Sequence, residues 1–456
     1  MSTKGMDLLS PEAVLQFALL QIPAARFVPL LFLALLVLRF TRSGNILPGV
    51  PKLEGLPFLG VMLLSMRHGA SEIAARLLNI ATDGISYASV AGNVLVFVHD
   101  TSMVRQLLAM PEECLSRESN ADSTGFSPTW LLRRIVGPSL PNYIGPHLSI
   151  YRAGFIREFN STESLAKNFD TMKRLAQAHV NCLIDKQASN ATVDIIPRMD
   201  IFAISLWRTL LYGSSDSETD GRVLNLAKAI GARVTDPWPS LWYSINVVLG
   251  FVEPGHPLGS DKSLPGNETF GYNLAWLLIE LDKRPECLER LLVEIDSSDT
   301  GDFRTINSKM PYLDAVITEV NRLHPPIAST FRTVNREVSI TSRKSQYTLQ
   351  PGMLVFLALG AANRSTNDWG SEADRFMPEK WLEKKGGGYS HLGFGYGSRS
   401  CVGYKSALLG TKMFLLELLQ TYEIVLRDHD YKVSPGEILG VEKPLFVELY
   451  RRRHKQ

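Results

Sequence analysis

Phe394-Gly395-Tyr396-Gly397-Ser398-Arg399-Ser400-Cys401-Val402-Gly403 is the stretch on which the reading of this chain turns. It closes an irregular segment and opens an apolar one carrying Leu408, Leu409, Met413, Phe414, Leu416 and Leu419, spaced as on a long helix. A cysteine at a helix start faces unpaired N–H groups and the positive end of the dipole, which together lower a thiol pKa and hold a thiolate. Gly395, Gly397 and Gly403 let backbone approach a flat group closely. Arg399 offers a cation to a carboxylate, and Phe394 an apolar shield.

Working outward, three helices precede the loop. The patterns predict them from about Thr269 to Leu281, Pro285 to Ile295 and Pro311 to His324. The third carries Leu313, Val316, Ile317, Val320 and Leu323 on one stripe and is stopped by Pro325 and Pro326. Glu319 and Arg322 lie three apart on it, close enough to bond each other. Further upstream, Gly84 to Ser89 and Val94 to His99 read as strands. The Pro- and Gly-rich run from Gly250 to Asn267 excludes a continuous helix there.

The ten-residue loop resembles the haem-binding loop of the cytochrome P-450 family, F-x-x-G-x-R-x-C-x-G, at every fixed position. Glu319-Val320-Asn321-Arg322 is similar to the family's E-x-x-R, and Arg375 falls where the family completes an internal Glu-Arg-Arg network. Arg152, after Leu148 in place of a tryptophan, and Arg332 fall where the family has arginines for the haem propionates. The resemblance implies haem b (iron protoporphyrin) held by Cys401, with Arg152, Arg332 and Arg399 on the propionates and Phe394, Gly397 and Gly403 shaping the cradle. A thiolate ligand pushes electron density onto iron and favours O–O cleavage. Glu268 and Thr269 correspond to the family's acid–alcohol pair, which delivers protons during oxygen activation. On the residues alone, Asn267, Glu268 and Thr269 equally suit a helix start with an acid in its first turn.

At 456 residues, 45% apolar and 21% charged, the chain has the composition of a globular protein with a substantial core. A formal net charge of +2 gives no field to attract nucleic acid, and none is expected as a partner. The basic run Arg451, Arg452, Arg453, His454, Lys455 reads as a solvated tail. Cys114, Cys182, Cys287 and Cys401 show neither a disulfide framework nor zinc spacing, which fits a reducing compartment. The sequons at Asn160, Asn190, Asn267 and Asn363 read as coincidence for a body facing the cytosol.

Ala13 to Leu38 is mainly apolar and is followed by Arg39, Arg42 and Lys52, which predicts one uncleaved membrane anchor with the body on the cytosolic side. Three regions follow: an anchor at 1–42, a Pro-rich hinge at 43–60 and a haem-thiolate domain at 61–456. The expected fold is mainly α with a small β-rich lobe, the P-450 fold preceded by a single-pass transmembrane helix. The resemblance implies a monooxygenase of the endoplasmic reticulum membrane, fed by an NADPH-cytochrome reductase. It would act on a lipophilic small molecule, in the manner of fungal secondary-metabolite enzymes. Between Tyr212-Gly213 and Glu268, however, there are too few residues for the family's full substrate roof. A haem-thiolate isomerase or dehydratase, or a haem-binding membrane protein without turnover, fits the same residues.

Overall fold

The computed structural model describes residues 46–55, 61, 70–90, 93–117, 148–184, 188, 190–223, 225, 267–383, 391–427, 429, 431, 440–441 and 444–452. The expected anchor, 1–42, and 43–45 and 56–60 of the hinge lie outside the described residues, as does the run from Gly250 to Gly266. Among the described residues no helix is long and apolar enough to cross a membrane.

The longer helices are α1 (Ala70–Ile80), α2 (Thr101–Ala109), α3 (Leu148–Asn160), α4 (Thr162–Asn181), α5 (Ile195–Tyr212), α6 (Asn267–Asp282), α7 (Pro285–Asp296), α8 (Pro311–Leu323) and α9 (Tyr404–Thr421). The three helices expected ahead of the loop are thus α6, α7 and α8, each within two residues of the predicted bounds. Proline opens both α7 and α8, where its missing N–H costs nothing. The stripe Leu313, Val316, Ile317, Val320 and Leu323 is buried in a helical core with Leu274, Leu277, Phe414 and Leu418. Gly271 on α6 meets α5 closely: a Cβ there would lie 2.2 Å from the Asp200 carboxylate.

The strands are β1 (Lys52–Leu53), β2 (Ile85–Val90), β3 (Asn93–Val98), β4 (Leu115–Ser116), β5 (Asn190–Asp194), β6 (Thr330–Val334), β7 (Val338–Thr341), β8 (Gln346–Leu349), β9 (Leu354–Leu357), β10 (Tyr422–Leu426) and β11 (Phe446–Arg451). One mixed sheet runs β1-β2-β3-β9-β6-β4, a second β10-β11-β5, and β7 pairs with β8. The first sheet has its own core of Ile85, Val96, Val98, Val355 and Leu357, separate from the helical one. The architecture is therefore mainly helical with small sheets.

Two expectations need correction here. Arg452 does not belong to a solvated tail, because both its terminal nitrogens pair with Asp296, at 2.9 and 2.6 Å. The Arg375 guanidinium does not join Glu319 and Arg322; it is exposed and pairs with Glu372 at 2.8 Å. What Arg375 gives the network is its backbone carbonyl, which accepts from Arg322 at 3.0 Å. Trp381 and the Met377 N–H supply the remaining donors to Glu319, each at 2.8 Å.

Candidate functional site

The loop before α9 is shaped by backbone conformations that favour glycine. Gly395 and Gly397 have φ of +73° and +69°, and a Cβ on Gly397 would lie 2.2 Å from the Leu108 carbonyl at the end of α2. The Cys401 N–H donates to the Phe394 carbonyl at 2.8 Å, closing the loop on itself. Asn160, at the end of α3, then fixes both sides of the turn. It donates to the Val402 carbonyl at 2.8 Å and accepts from the Lys405 N–H at 3.0 Å. The Asn160 amide nitrogen is bonded to Val402 and that of Asn363 is enclosed by protein, so neither of these two sequons presents an accessible amide. A Cβ on Gly403 would meet the Trp207 ring at 2.8 Å, so only glycine lets α5 approach here.

Helix α9 begins at Tyr404, three residues after Cys401, with Gly403 as its N-cap. Cys401 therefore stands outside the first turn. This corrects the expectation of a thiol lowered by the helix end. Surrounding protein pushes the Cys401 thiol up, and only the Gly403 N–H and the Arg152 charge pull it back. The residue nonetheless keeps an exposed face.

Arginines gather beside it. Arg152, one turn into α3, donates to the Ser400 carbonyl at 2.6 Å. Arg332 on β6 is buried and braced by its own strand, donating to the Phe331 carbonyl at 2.7 Å and Thr330 Oγ1 at 3.2 Å. Arg399 is gripped by Glu112, Nη2 to Oε2 at 2.6 Å and Nε to Oε1. A fourth arginine, Arg117, was not foreseen. Strand β4 pairs with β6 in the register Leu115↔Val334 and Ser116↔Thr333, and Arg117, directly after β4, comes near enough for its charge to act on Arg332. Nothing local in the sequence marks it; only a pairing of strands more than 200 residues apart in the chain creates the cluster.

The arginines feel one another. Burial, then the charge of Arg399, lowers the pKa of Arg117 to about 10, against which Glu112 pulls upward. Burial, then Arg117 and Arg399, lowers that of Arg332 to about 9, again opposed by Glu112. Arg152 is lowered for the same reasons, with Cys401 and Glu112 opposing. Guanidinium groups depressed this far are short of negative charge, and an anionic ligand would relieve them. A dicarboxylate with a flat apolar body and a metal to offer the thiol suits these residues, which is the chemistry of iron protoporphyrin.

The other expected residues lie around this centre. The Phe394 ring packs between His391 and Tyr404, with ring centres 6.0 and 6.1 Å away. Thr269 is half-buried in the first turn of α6, while the Glu268 side chain lies outside the described ones. Phe270, the next residue, packs on Gly410 well along α9. The first turn of α6 therefore meets α9 beyond its Cys401 end.

The cytochrome P450 family model matches residues 264–448, which hold α6 to α9 and the Cys401 loop. Over these residues the chain belongs to the cytochrome P450 family. The mouse mitochondrial 1,25-dihydroxyvitamin D(3) 24-hydroxylase is 34% identical over 177 residues, 38% of this chain and 33% of that protein. The cytochrome P450 monooxygenase claQ of Ampulloclitocybe clavipes is 36% identical over 180 residues, 35% of this chain and 34% of its own. Cytochrome P450 71A14 of Arabidopsis thaliana is 33% identical over 170 residues, 36% and 34% of the two chains. The matched stretch thus spans about a third of each of these relatives. The P450 segment supplies Arg332, Arg399 and Cys401, whereas Glu112, Arg117 and Arg152 come from outside it.

Proposed function

We propose that this chain binds haem b through the Cys401 thiolate and acts as a monooxygenase on a lipophilic small molecule. The observation that carries this is the Cys401 thiol standing beside mutually repelling arginines, with Arg332 lowered to about 9. When bound, a haem-thiolate centre supplies activation of dioxygen, one atom going to substrate and the other to water. The chain's own part is to hold and orient. Arg117, Arg152, Arg332 and Arg399 would take the propionates; Gly397 and Gly403 keep the loop close to α2 and α5; Phe394 shields the thiolate. Glu268 and Thr269 would move protons at the distal side through carboxyl and hydroxyl oxygens.

The chain has no flavin or dinucleotide fingerprint of its own, so the two electrons would come from a separate NADPH-cytochrome reductase. The apolar segment before residue 42 supports a single-pass anchor in the endoplasmic reticulum membrane. Three of the relatives are mitochondrial proteins, so fractionation against both organelles decides the compartment. The likeness to a fungal cytochrome P450 monooxygenase supports the reaction class, and a role in secondary metabolism belongs to the proposal alone. A second reading, a haem protein with impaired turnover, is favoured by Thr269 lying in the first turn of α6.

The decisive test is the carbon monoxide difference spectrum of the reduced protein. The native chain should give the thiolate-type Soret shift and Cys401→Ala should lose it. A shift that survives the substitution overturns the assignment. Peroxide yield per NADPH then separates the readings: a coupled enzyme leaks little, and impaired turnover leaks most of its electrons.

A further inference from the structure

Helices α6 and α8 meet in the core, and two polar contacts interrupt their otherwise apolar seam. Asn273 Nδ2 donates to Asn321 Oδ1 at 3.2 Å, and both residues are buried. Further along α6, buried Glu280 pairs with His324 Nε2 at 2.8 Å. The His324 ring also stacks on Trp276, with centres 3.9 Å apart and planes 4° from parallel. A buried polar pair adds little stability over apolar residues of the same shape, but it defines register, because sliding one helix strands both partners. Two such contacts hold α6 against both sliding and rolling on α8.

Asn321 makes the inner contact in a set orientation. Its Nδ2 donates to the Ile317 carbonyl one turn back at 2.8 Å, which leaves Oδ1 for Asn273. The same residue meets the Cys401 loop. A Cβ on Gly393, the neighbour of Phe394, would lie 2.8 Å from the Asn321 carbonyl oxygen and 3.2 Å from its Cβ. Asn321 thus seats the loop with atoms that almost any residue has, and holds α6 with an amide that few have. On α6, Asn273 follows Thr269 by one turn, on the same helix face.

We propose that the Asn273–Asn321 pair is a positioning device, which sets the register of α6 on α8 and so the place of Thr269 relative to the Cys401 loop. It rests on the roles proposed above for Cys401 and Thr269, and the two asparagines act through Thr269.

The test uses the full-length haem-loaded chain, its Asn273→Leu and Asn321→Leu variants, the double variant and Thr269→Ala. Each single leucine leaves one amide buried without its partner and should lower the melting temperature by a few degrees. The double variant removes both amides and should melt close to the native chain. Imidazole, a ligand for the iron face opposite Cys401, then reads the position of α6. Thr269→Ala should bind it more tightly. The double variant should do so by roughly fivefold, the equivalent of about 1 kcal/mol of restraint released. The thiolate-type carbon monoxide spectrum should persist throughout, since the loop keeps its seat on α8.

A double variant with native imidazole affinity overturns the proposal, because the pair would then be structural only. Loss of the thiolate-type spectrum in that variant also overturns it, since the pair would be acting on the loop. Unchanged affinity in Thr269→Ala removes Thr269 from the iron and takes this inference with it. Should the double variant fail to fold, Asn273→Gln, which keeps the amide but displaces it by one methylene, carries the same comparison with the same signs. A native chain that takes up no haem overturns the proposed function itself, and the inference falls too.

Discussion

Two buried arginines show how differently this molecule treats the same side chain. Arg322 on α8 is fully enclosed, and all five of its donors are spent on protein. Nε and one Nη2 hydrogen go to Glu319 at 2.8 and 2.7 Å, Nη1 to the Asn363 and Ala373 carbonyls at 3.2 and 2.6 Å, and Nη2 also to Arg375 O. Its guanidinium lies 4.3 Å from the centre of the Trp369 ring. Arg332, nearly as buried, spends its described bonds on its own strand and faces the charges of Arg117 and Arg399. A buried cation whose donors are met by carboxylate and carbonyls fixes structure. One crowded by other cations invites an anion from outside.

The largest test of this contrast is at the first site. Arg322→Ala leaves Glu319 charged and enclosed, at a cost of about 3–5 kcal/mol, and Glu319→Ala does the same to Arg322. Urea unfolding and soluble yield should report the loss in both variants. Native-like stability would erase the distinction between the two arginines.

His391 joins the two regions, packed edge-on to Trp381, which bonds Glu319, and against Phe394 of the Cys401 loop. Burial, against the pull of Glu319, lowers its pKa from the ordinary 6.5 to about 4. The folded imidazole thus refuses a proton that the unfolded chain accepts below pH 6.5. The stability it contributes is complete above that pH and drains as pH falls toward 4, by roughly 2 kcal/mol between pH 7 and 5. His99, His179 and His324 are lowered by burial too, so the informative quantity is a difference. His391→Gln should lose clearly less melting temperature between pH 7 and 5 than the native chain. Parallel losses would mean that His391 titrates normally.

At the second site the expected loss is in binding. Arg332→Ala removes one of several mutually repelling charges, so the fold should change by less than about 1 kcal/mol while haem affinity drops about tenfold. Haem titration beside a thermal melt reads both. A large stability loss with unchanged affinity would reverse the assignment.

These contrasts also mark what the sequence could convey. The Cys401 loop and α8 were legible because their information is local: five fixed residues in ten, and an apolar stripe at helical spacing. Arg152 and Arg332 could be named only through resemblance, since a lone arginine carries no sign of its surroundings. Glu112 and Arg117 escaped because their meaning arises from the β4–β6 pairing, far apart in the chain. The thiol's environment was misjudged through three residues, the distance from Cys401 to the start of α9 at Tyr404. Periodicity places a helix to within a turn, and a dipole argument needs its first residue.

Arg375 gives the smallest and sharpest test. The resemblance assigned its side chain to the Glu319–Arg322 network, but the structure assigns only its carbonyl, leaving the guanidinium exposed beside Glu372. Every residue has a carbonyl, so Arg375→Ala should keep the bond to Arg322 and lose only a solvent-screened pair three residues apart. Such pairs are worth under about 0.5 kcal/mol. The urea midpoint should therefore barely move, and salt should abolish what difference there is. A loss comparable to that of Arg322→Ala would place the Arg375 guanidinium inside the network after all. That outcome would require the guanidinium to leave Glu372 and spend its time among the buried partners of Glu319.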